Sequence, residues 1–583
     1  MFGIPWHRLP IPLSLLELLK FRNALRKNNL QDTSQIPNSA ELPKPVPTPD
    51  GKHYTTRTSD GSYNDLTHPE MGMAGTRFGR NVPLSDATVD EQNLMYPNPR
   101  VVSSTLLKRD TFQPATILNL HAAAWIQFQT HDWFTHGDNQ QDHRFNIPVA
   151  DDDSWKQEHG TLEIAKTDDD SSRHDGNNHP ATFINKVTHW WDGSQIYGSN
   201  QEKIEQLRSH FDGKMLIGAD GLLPLDQASG IDQVGFSGTW WVGLSMLHTL
   251  FVKEHNAICD HLKRLYPDWH DDRLFDHARL INAALMAKIH TVEWTPAILP
   301  HPATKIAMNT NWWGVLGKDF KRTIGRLGDS ELLSGIIGSS TDHHAAPYYL
   351  TEEFVSVYRM HPLIPDEFEF YSHLDGELLS KEPFNVGFSK QARGLMQLVA
   401  MPDLLYSFGV THPGALQLHN YPAFLRNLVK DDGEIFDLAA VDILRDRERG
   451  VPRYNRFREI IGRDRVKSFA DITSNPQWVK ELREVYHDDI DKVDLMVGLF
   501  AEDIPEGFGF SDTAFRVFIL MASRRLKSDR FFTQDYRSEI YTQFGLDWID
   551  DNSFVTVLRR HHPELKSILA NVENGFQPWQ KLA

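Results

Sequence analysis

Phe112-Gln-Pro-Ala-Thr-Ile-Leu-Asn-Leu-His-Ala-Ala-Ala-Trp-Ile-Gln-Phe-Gln-Thr-His-Asp-Trp-Phe-Thr-His-Gly137 is the stretch on which the reading of the fold turns. Its apolar residues recur with helical period and few positions are left for solvent, so a buried helix is expected over about 115–136. Pro114 suits its first turn and Gly137 its C-terminal cap. Gln127 and His131 are four residues apart and share one face. A buried imidazole beside a buried amide must be hydrogen-bonded or at work. On this stretch alone a structural pairing is the better reading.

Outward from it, helical periodicity recurs over about 240–265, 271–294, 350–361, 390–404 and 512–526, and strand-like alternation is sparse. Gly- and Asp-rich segments at 51–90 and 138–180 read as long loops over a helical core. There are no internal repeats. The expected architecture is mainly α, one large helical domain with few short strands.

The chain has 583 residues, 40% hydrophobic and 24% charged, enough for a sizeable core. Its net charge of −18 argues against a nucleic-acid binder, which needs a positive face. Cys259 is the one cysteine, so no internal disulfide and no cysteine-built metal site is possible. With 28 histidines, any metal or cofactor falls to imidazole and oxygen ligands. No apolar run reaches the ~18–20 residues of a bilayer span. Residues 1–34 carry an amphipathic segment with Arg8, Lys20, Arg22, Arg26 and Lys27 against Glu17. It suits a membrane-facing helix or a helix packed on the body. A Pro-rich arm follows at 35–54.

Two further segments carry candidate chemistry. In Leu350-Thr-Glu-Glu-Phe-Val-Ser-Val-Tyr-Arg-Met-His-Pro362, Thr351 is a candidate N-cap and Pro362 discourages continuation. Tyr358 and His361 are three apart, and a metal-ligating histidine there could pass an oxidising equivalent to the phenol. On spacing alone, a core tyrosine and a helix-end histidine is the better reading. In Val187-Thr-His-Trp-Trp-Asp-Gly-Ser194, the alternate residues Thr188, Trp190, Asp192 and Ser194 could gather oxygens on a hard cation, with Asp132 adding a carboxylate. An ordinary polar turn explains that spacing equally simply.

Together these segments resemble the peroxidase–cyclooxygenase superfamily, and within it the fatty-acid alpha-dioxygenases. The likeness runs from about 55 to 565. It includes Arg57-Thr-Ser-Asp-Gly-Ser-Tyr-Asn-Asp-Leu66, Phe78-Gly-Arg-Asn-Val-Pro83, Ala124-Trp-Ile-Gln-Phe128, His131-Asp-Trp133, Trp190-Trp-Asp192 and Ile196-Tyr-Gly198. Further along come His248-Thr-Leu-Phe251, Glu254-His-Asn256, His290-Thr-Val-Glu-Trp-Thr295, Tyr358-Arg-Met-His361, Arg445-Asp-Arg-Glu-Arg449, Pro452-Arg-Tyr-Asn455 and Arg524-Arg-Leu526.

The resemblance implies a mainly α haem peroxidase/cyclooxygenase-like fold, with residues 55–583 as a haem-dependent dioxygenase domain. It implies His361 as the haem iron ligand with Asp442 behind it, and His131 and Gln127 on the distal side. It further implies Tyr358 as the hydrogen-abstracting tyrosyl radical. His290, Thr295 and Arg525 match the residues that hold the substrate carboxylate, with Arg524 the adjacent alternative. Asp132, Thr188, Trp190, Asp192 and Ser194 match calcium ligands. The implied cofactors are non-covalent haem b and Ca2+, and the implied reactants are a fatty acid, O2 and a peroxide activator. The implied product is a 2-hydroperoxy fatty acid that can decarboxylate to an aldehyde one carbon shorter. The chain is expected to be a cytoplasmic monomer, with membrane contact resting on its N-terminal helix.

Departures favour this branch over the secreted peroxidases. Thr130 precedes His131, and Phe236-Ser-Gly-Thr-Trp-Trp-Val-Gly243 contains neither acid nor arginine, which argues against covalent haem and efficient halide turnover. A peroxidase of small phenols and a non-catalytic haem- or lipid-binding homologue are the alternatives.

Overall fold

In the computed structural model, residues 5–34, 36, 44–48, 50–170, 180–430 and 433–582 are described. The helices that place the site are α1 (Ile11–Asn28), α2 (Leu120–Trp133), α3 (Val242–Leu265), α4 (Asp271–Ile289), α5 (Pro302–Trp313) and α6 (Glu352–Val357). They are joined by α7 (Gln391–Leu398), α8 (Met401–Val410), α9 (Leu438–Glu448), α10 (Asp512–Ser528) and α11 (Ser538–Asp551). α2 packs against α3, α3 against α4 and α4 against α11, while α6 lies on α10. One large hydrophobic cluster runs through all these contacts, as expected for a mainly α fold.

The deciding helix is shorter than its periodicity predicts. It begins at Leu120, not in the turn after Pro114, because the preceding chain is tied elsewhere. Ala115 N–H donates to the Pro413 carbonyl (2.8 Å), and Asn119 N–H donates to the Phe576 carbonyl (3.0 Å). It ends at Trp133 rather than being capped by Gly137: Asn185 Nδ2 donates to the Trp133 carbonyl (2.9 Å), supplying a partner that the next turn would have given.

Other boundaries shift for similar reasons. The 350–361 helix stops at Val357, with Thr351 Oγ1 capping Phe354 N–H (3.2 Å) as expected. Tyr358 and His361 therefore sit on the turn that follows, not on one helical face. The 390–404 stretch divides into α7 and α8, with Pro402 in the first turn of α8. α4 continues through a π-helical turn, His290–Trp294, into a short helix, Thr295–Ile298. The 138–180 segment is not all loop. It holds the antiparallel pair β1 (Gln140–Ile147) and β2 (Leu162–Lys166), with Phe145 opposite Ile164 and Ile147 opposite Leu162. Two further short hairpins, β3–β4 (Glu367–Tyr371, Leu378–Pro383) and β5–β6 (Leu428–Val429, Ile435–Phe436), complete the sheets among the described residues.

α1 lies on α5 and α10. Arg22 and Arg26 turn inward to Glu331 (3.3 and 3.0 Å), while Ile11, Leu13 and Leu16 face outward. Much of the Pro-rich arm falls outside the described residues. Among the described residues, no helix is long and apolar enough to cross a membrane.

Candidate active site

A cavity of about 430 Å³ opens between α2, the turn after α6 and α9. Gln127 and His131 line it from α2, Tyr358 and His361 from the turn, and Asp442 from α9. Residues far apart in sequence thus meet around one space.

On one side of the cavity, His361 Nδ1–H donates to Asp442 Oδ2 (2.7 Å), since a carboxylate can only accept. Asp442 also accepts from Arg359 (2.7 Å) and the Tyr421 hydroxyl (2.8 Å). Burial works to raise the Asp442 pKa, but His361 and Arg359 outweigh it and hold it at about 2. The carboxylate stays charged and makes His361 a stronger donor through Nε2. Such an anchored imidazole, set across a cavity from a second histidine, fits a haem iron ligand. Arg445 and Arg449 in the lining offer cations for its carboxylates.

Across the cavity, burial pushes the His131 pKa down to about 3, so its imidazole is neutral. Its Nδ1 is buried without a partner, leaving Nε2 for exchange with the cavity. Gln127 Oε1 accepts from Trp241 Nε1–H (2.8 Å), and Gln127 Nε2 donates to Thr239 Oγ1 (3.0 Å). The Thr130 hydroxyl donates back to the Gln127 carbonyl (3.0 Å).

Behind the cavity, Trp133 joins the remaining candidates. Tyr358 and His290 each meet its indole edge-on, with ring centroids 5.2 Å away. The Arg525 guanidinium lies over its face at 3.9 Å and over Trp191 at 4.1 Å. Arg525 Nε and Nη2 and Trp133 Nε1 are buried donors without partners. Trp125 Nε1–H donates to His290 Nδ1 (3.3 Å), so the His290 proton sits on Nε2. Burial, and then Arg525, hold the His290 pKa well below its ordinary value. The Thr295 hydroxyl is beside them but donates to the His290 carbonyl (2.9 Å). Arg524 is used differently: it donates to the Ala346 and Pro347 carbonyls (2.9 and 2.7 Å). Sequence reasoning gave Trp133 and Trp191 no role. Their signal was two adjacent tryptophans and a third in an acidic helix end, which periodicity reads simply as core.

The 187–194 loop folds onto Asp132. Ser194 N–H donates to Asp132 Oδ1 (2.5 Å), and its hydroxyl reaches the Asp132 carbonyl (2.9 Å). Asp132 Oδ2 and Thr188 Oγ1 are buried without hydrogen bonds. Burial, then the neighbouring Asp192, raise the Asp132 pKa to about 8. Trp190 Nε1–H is spent on the Met71 carbonyl (3.2 Å), so only its backbone oxygen is available. Among the described residues no set of three or more His, Cys, Asp or Glu side chains gathers for a metal. A cation here would rest on two carboxylates plus hydroxyl and carbonyl oxygens, a set that suits calcium better than zinc.

Comparison with known proteins identifies the family. Residues 56–573 match the animal haem peroxidase family. An alpha-dioxygenase from Oryza sativa subsp. japonica is 39% identical, covering 98% of this chain and 93% of the relative. One from Capsicum annuum is 38% identical, covering 99% and 90%. The crystal structure of an Oryza sativa fatty acid alpha-dioxygenase variant with palmitic acid superposes with a TM-score of 0.90 at 36% identity, covering 99% of this chain and 94% of that one. A Dictyostelium discoideum peroxidase, at 22% identity and a TM-score of 0.71, shares the fold. The chain therefore belongs to the animal haem peroxidase family, on its alpha-dioxygenase branch.

Proposed function

We propose that the chain is a fatty-acid alpha-dioxygenase in which Tyr358 is the hydrogen-abstracting group. The observation that carries this reading is the shared wall of Trp133: the phenol and the unpartnered Arg525 donors meet the same indole. A carboxylate held by Arg525 and His290 Nε2–H, with the Thr295 hydroxyl turned to it from the His290 carbonyl, puts the adjacent carbon, and no other, within reach of Tyr358.

A non-covalent haem b held by His361 would supply the one-electron oxidising equivalent, primed by a peroxide. His131, neutral by burial, takes and returns the proton of that priming at Nε2. Gln127 donates from its amide into the same space. Tyr358 yields an electron and a proton to become a tyrosyl radical. That radical removes a hydrogen atom from the alpha carbon, and O2 adds to the carbon radical. The resulting peroxyl group takes a hydrogen atom back from Tyr358, giving the 2-hydroperoxy acid and restoring the radical. Loss of CO2 and water from that acid leaves an aldehyde one carbon shorter. Calcium bound by Asp132, Asp192, Thr188, Ser194 and the Trp190 carbonyl would fix the end of α2 beside His131.

The test is oxygen uptake over a series of fatty-acid chain lengths, with products identified by mass spectrometry. Tyr358→Phe should keep the haem spectrum and lose oxygen uptake; substantial residual oxygenation would remove Tyr358 from the reaction. Turnover of a small phenol without fatty-acid oxygen uptake would favour the peroxidase alternative.

The outward residues Ile11, Leu13 and Leu16 of α1, 37–44% exposed, suit a shallow membrane contact. Leu16→Asp should reduce sedimentation with anionic vesicles; absence of binding by the parent protein would leave α1 a packing element.

A further inference from the structure

The segment 236–243, notable for lacking charge, supplies three features that converge on Gln127. Trp241 Nε1–H donates to Gln127 Oε1 at 2.8 Å. Gln127 Nε2 donates to both Thr239 Oγ1 and the Thr239 carbonyl, at 3.0 and 3.2 Å. Thr239 holds φ at +44°, a left-handed conformation that a β-branched residue adopts only when its surroundings enforce it.

The amide has one tolerable orientation between these partners. Turned over, its NH2 would face the indole N–H and its oxygen would face the Thr239 carbonyl, donor against donor and acceptor against acceptor. The indole itself cannot swing away. It is 1% exposed and packs among Phe368, Phe384 and Phe408, with ring centroids 5.5–6.0 Å apart. Gly243 is part of the fit, because a Cβ there would lie 2.4 Å from the far edge of the Trp241 ring.

We propose that Trp241 and Thr239 are positioning residues that lock the Gln127 carboxamide so that it offers the haem cavity donors and no acceptor. With its oxygen occupied by the indole and one Nε2 hydrogen shared between the two Thr239 oxygens, Gln127 keeps one N–H and no acceptor for a ligand. The Thr239 hydroxyl, which accepts from Nε2, has its own hydrogen left to donate. Both residues line the cavity. A donor-only face on Gln127 favours anionic oxygen or cyanide on the haem iron over a neutral ligand that must itself donate. This rests on the distal assignment of Gln127, and the test separates the two.

The experiment is an optical titration of the ferric holoenzyme with cyanide in the parent, Gln127→Leu, Trp241→Phe and the double variant. Losing one hydrogen bond corresponds to roughly a three- to tenfold weaker Kd, expected for Trp241→Phe in the parent background. In the Gln127→Leu background the same substitution should change nothing, because its effect passes through the amide. Equal shifts in both backgrounds, or none in the parent, would overturn the clamp. An unchanged Kd in Gln127→Leu alone would instead overturn the distal assignment. Should Trp241→Phe fail to take up haem, Gly243→Ala keeps the indole but displaces it. It should weaken cyanide in the parent and not in the Gln127→Leu background, and any other pattern counts against the proposal.

Discussion

Replacing Arg525 with methionine should weaken the reaction without weakening the protein. The side chain is 2% exposed, and two of its nitrogens, Nε and Nη2, have no hydrogen-bond partner. Burial lowers its pKa, and Tyr348, Tyr358 and Asp132 offset only part of that cost. A fatty-acid carboxylate would take two charge-assisted hydrogen bonds from those nitrogens, each worth about 1.5–3 kcal/mol. Their joint loss is about 3–6 kcal/mol, and kcat/KM for oxygen uptake should fall by about 10² to 10⁴. Without substrate the balance differs. Methionine gives up cation–π contacts with Trp133 and Trp191, worth about 0.5–2 kcal/mol each. It also relieves a buried charge lacking a full set of partners, which costs several kcal/mol. Urea unfolding of the substrate-free variant should therefore show stability equal to the parent or higher. A kcat/KM within about threefold of the parent would refute the anchoring role. A destabilisation of more than about 3 kcal/mol would show that the guanidinium is already fully paired in the resting protein.

Two perturbations test other parts of the same structure. Chelation by EGTA should lower the thermal midpoint and shift the haem absorption band, because Arg279, 3.3 Å from Asp192, would then be left to offset two neighbouring buried carboxylates beside His131; an unchanged midpoint removes the cation from the 188–194 loop. Lowering the pH should unfold the protein through its buried histidines. His121 and His248 have pKa values pushed to about 3 and His255 to about 4, by burial first in each case. The unfolded state binds protons near pH 6.5 while the folded state does not, so stability is present above 6.5 and is lost as pH falls from there toward 4. Each fully buried histidine adds a limiting slope of about 1.4 kcal/mol per pH unit. A flat urea midpoint between pH 6.5 and 5 would contradict their burial in the neutral form.

Element type was legible wherever a helix had to bury one side: α3 and α10 appear nearly as their periodicity predicts. Ends were less legible because remote residues set them. Asn185 ends α2, and the Phe576 carbonyl fixes Asn119 at its start; neither contact leaves a trace near 112–137. Type and spacing alone do not mark Tyr358, His361 or the 188–194 oxygens; only the resemblance across the whole order of motifs assigns them roles. The aromatic surroundings did not stand out. A tryptophan beside candidate site residues and one that fills a core share the same local pattern, and only long-range packing distinguishes Trp133 from Trp312.

The three residues His131-Asp132-Trp133 show why such a short motif can serve three places. Successive positions on a helix point about 100° apart, so three neighbours in a last turn face three directions. His131 lines the cavity, Asp132 turns to the 188–194 loop, and Trp133 backs Tyr358, His290 and Arg525. Had α2 continued past Trp133, the next turn would have covered one of these directions. Asn185 prevents that by taking the Trp133 carbonyl and, through Oδ1, the Thr135 N–H (2.9 Å). The helix end, rather than the two histidines alone, thus joins the cavity, the 188–194 loop and the Trp133–Arg525 contact.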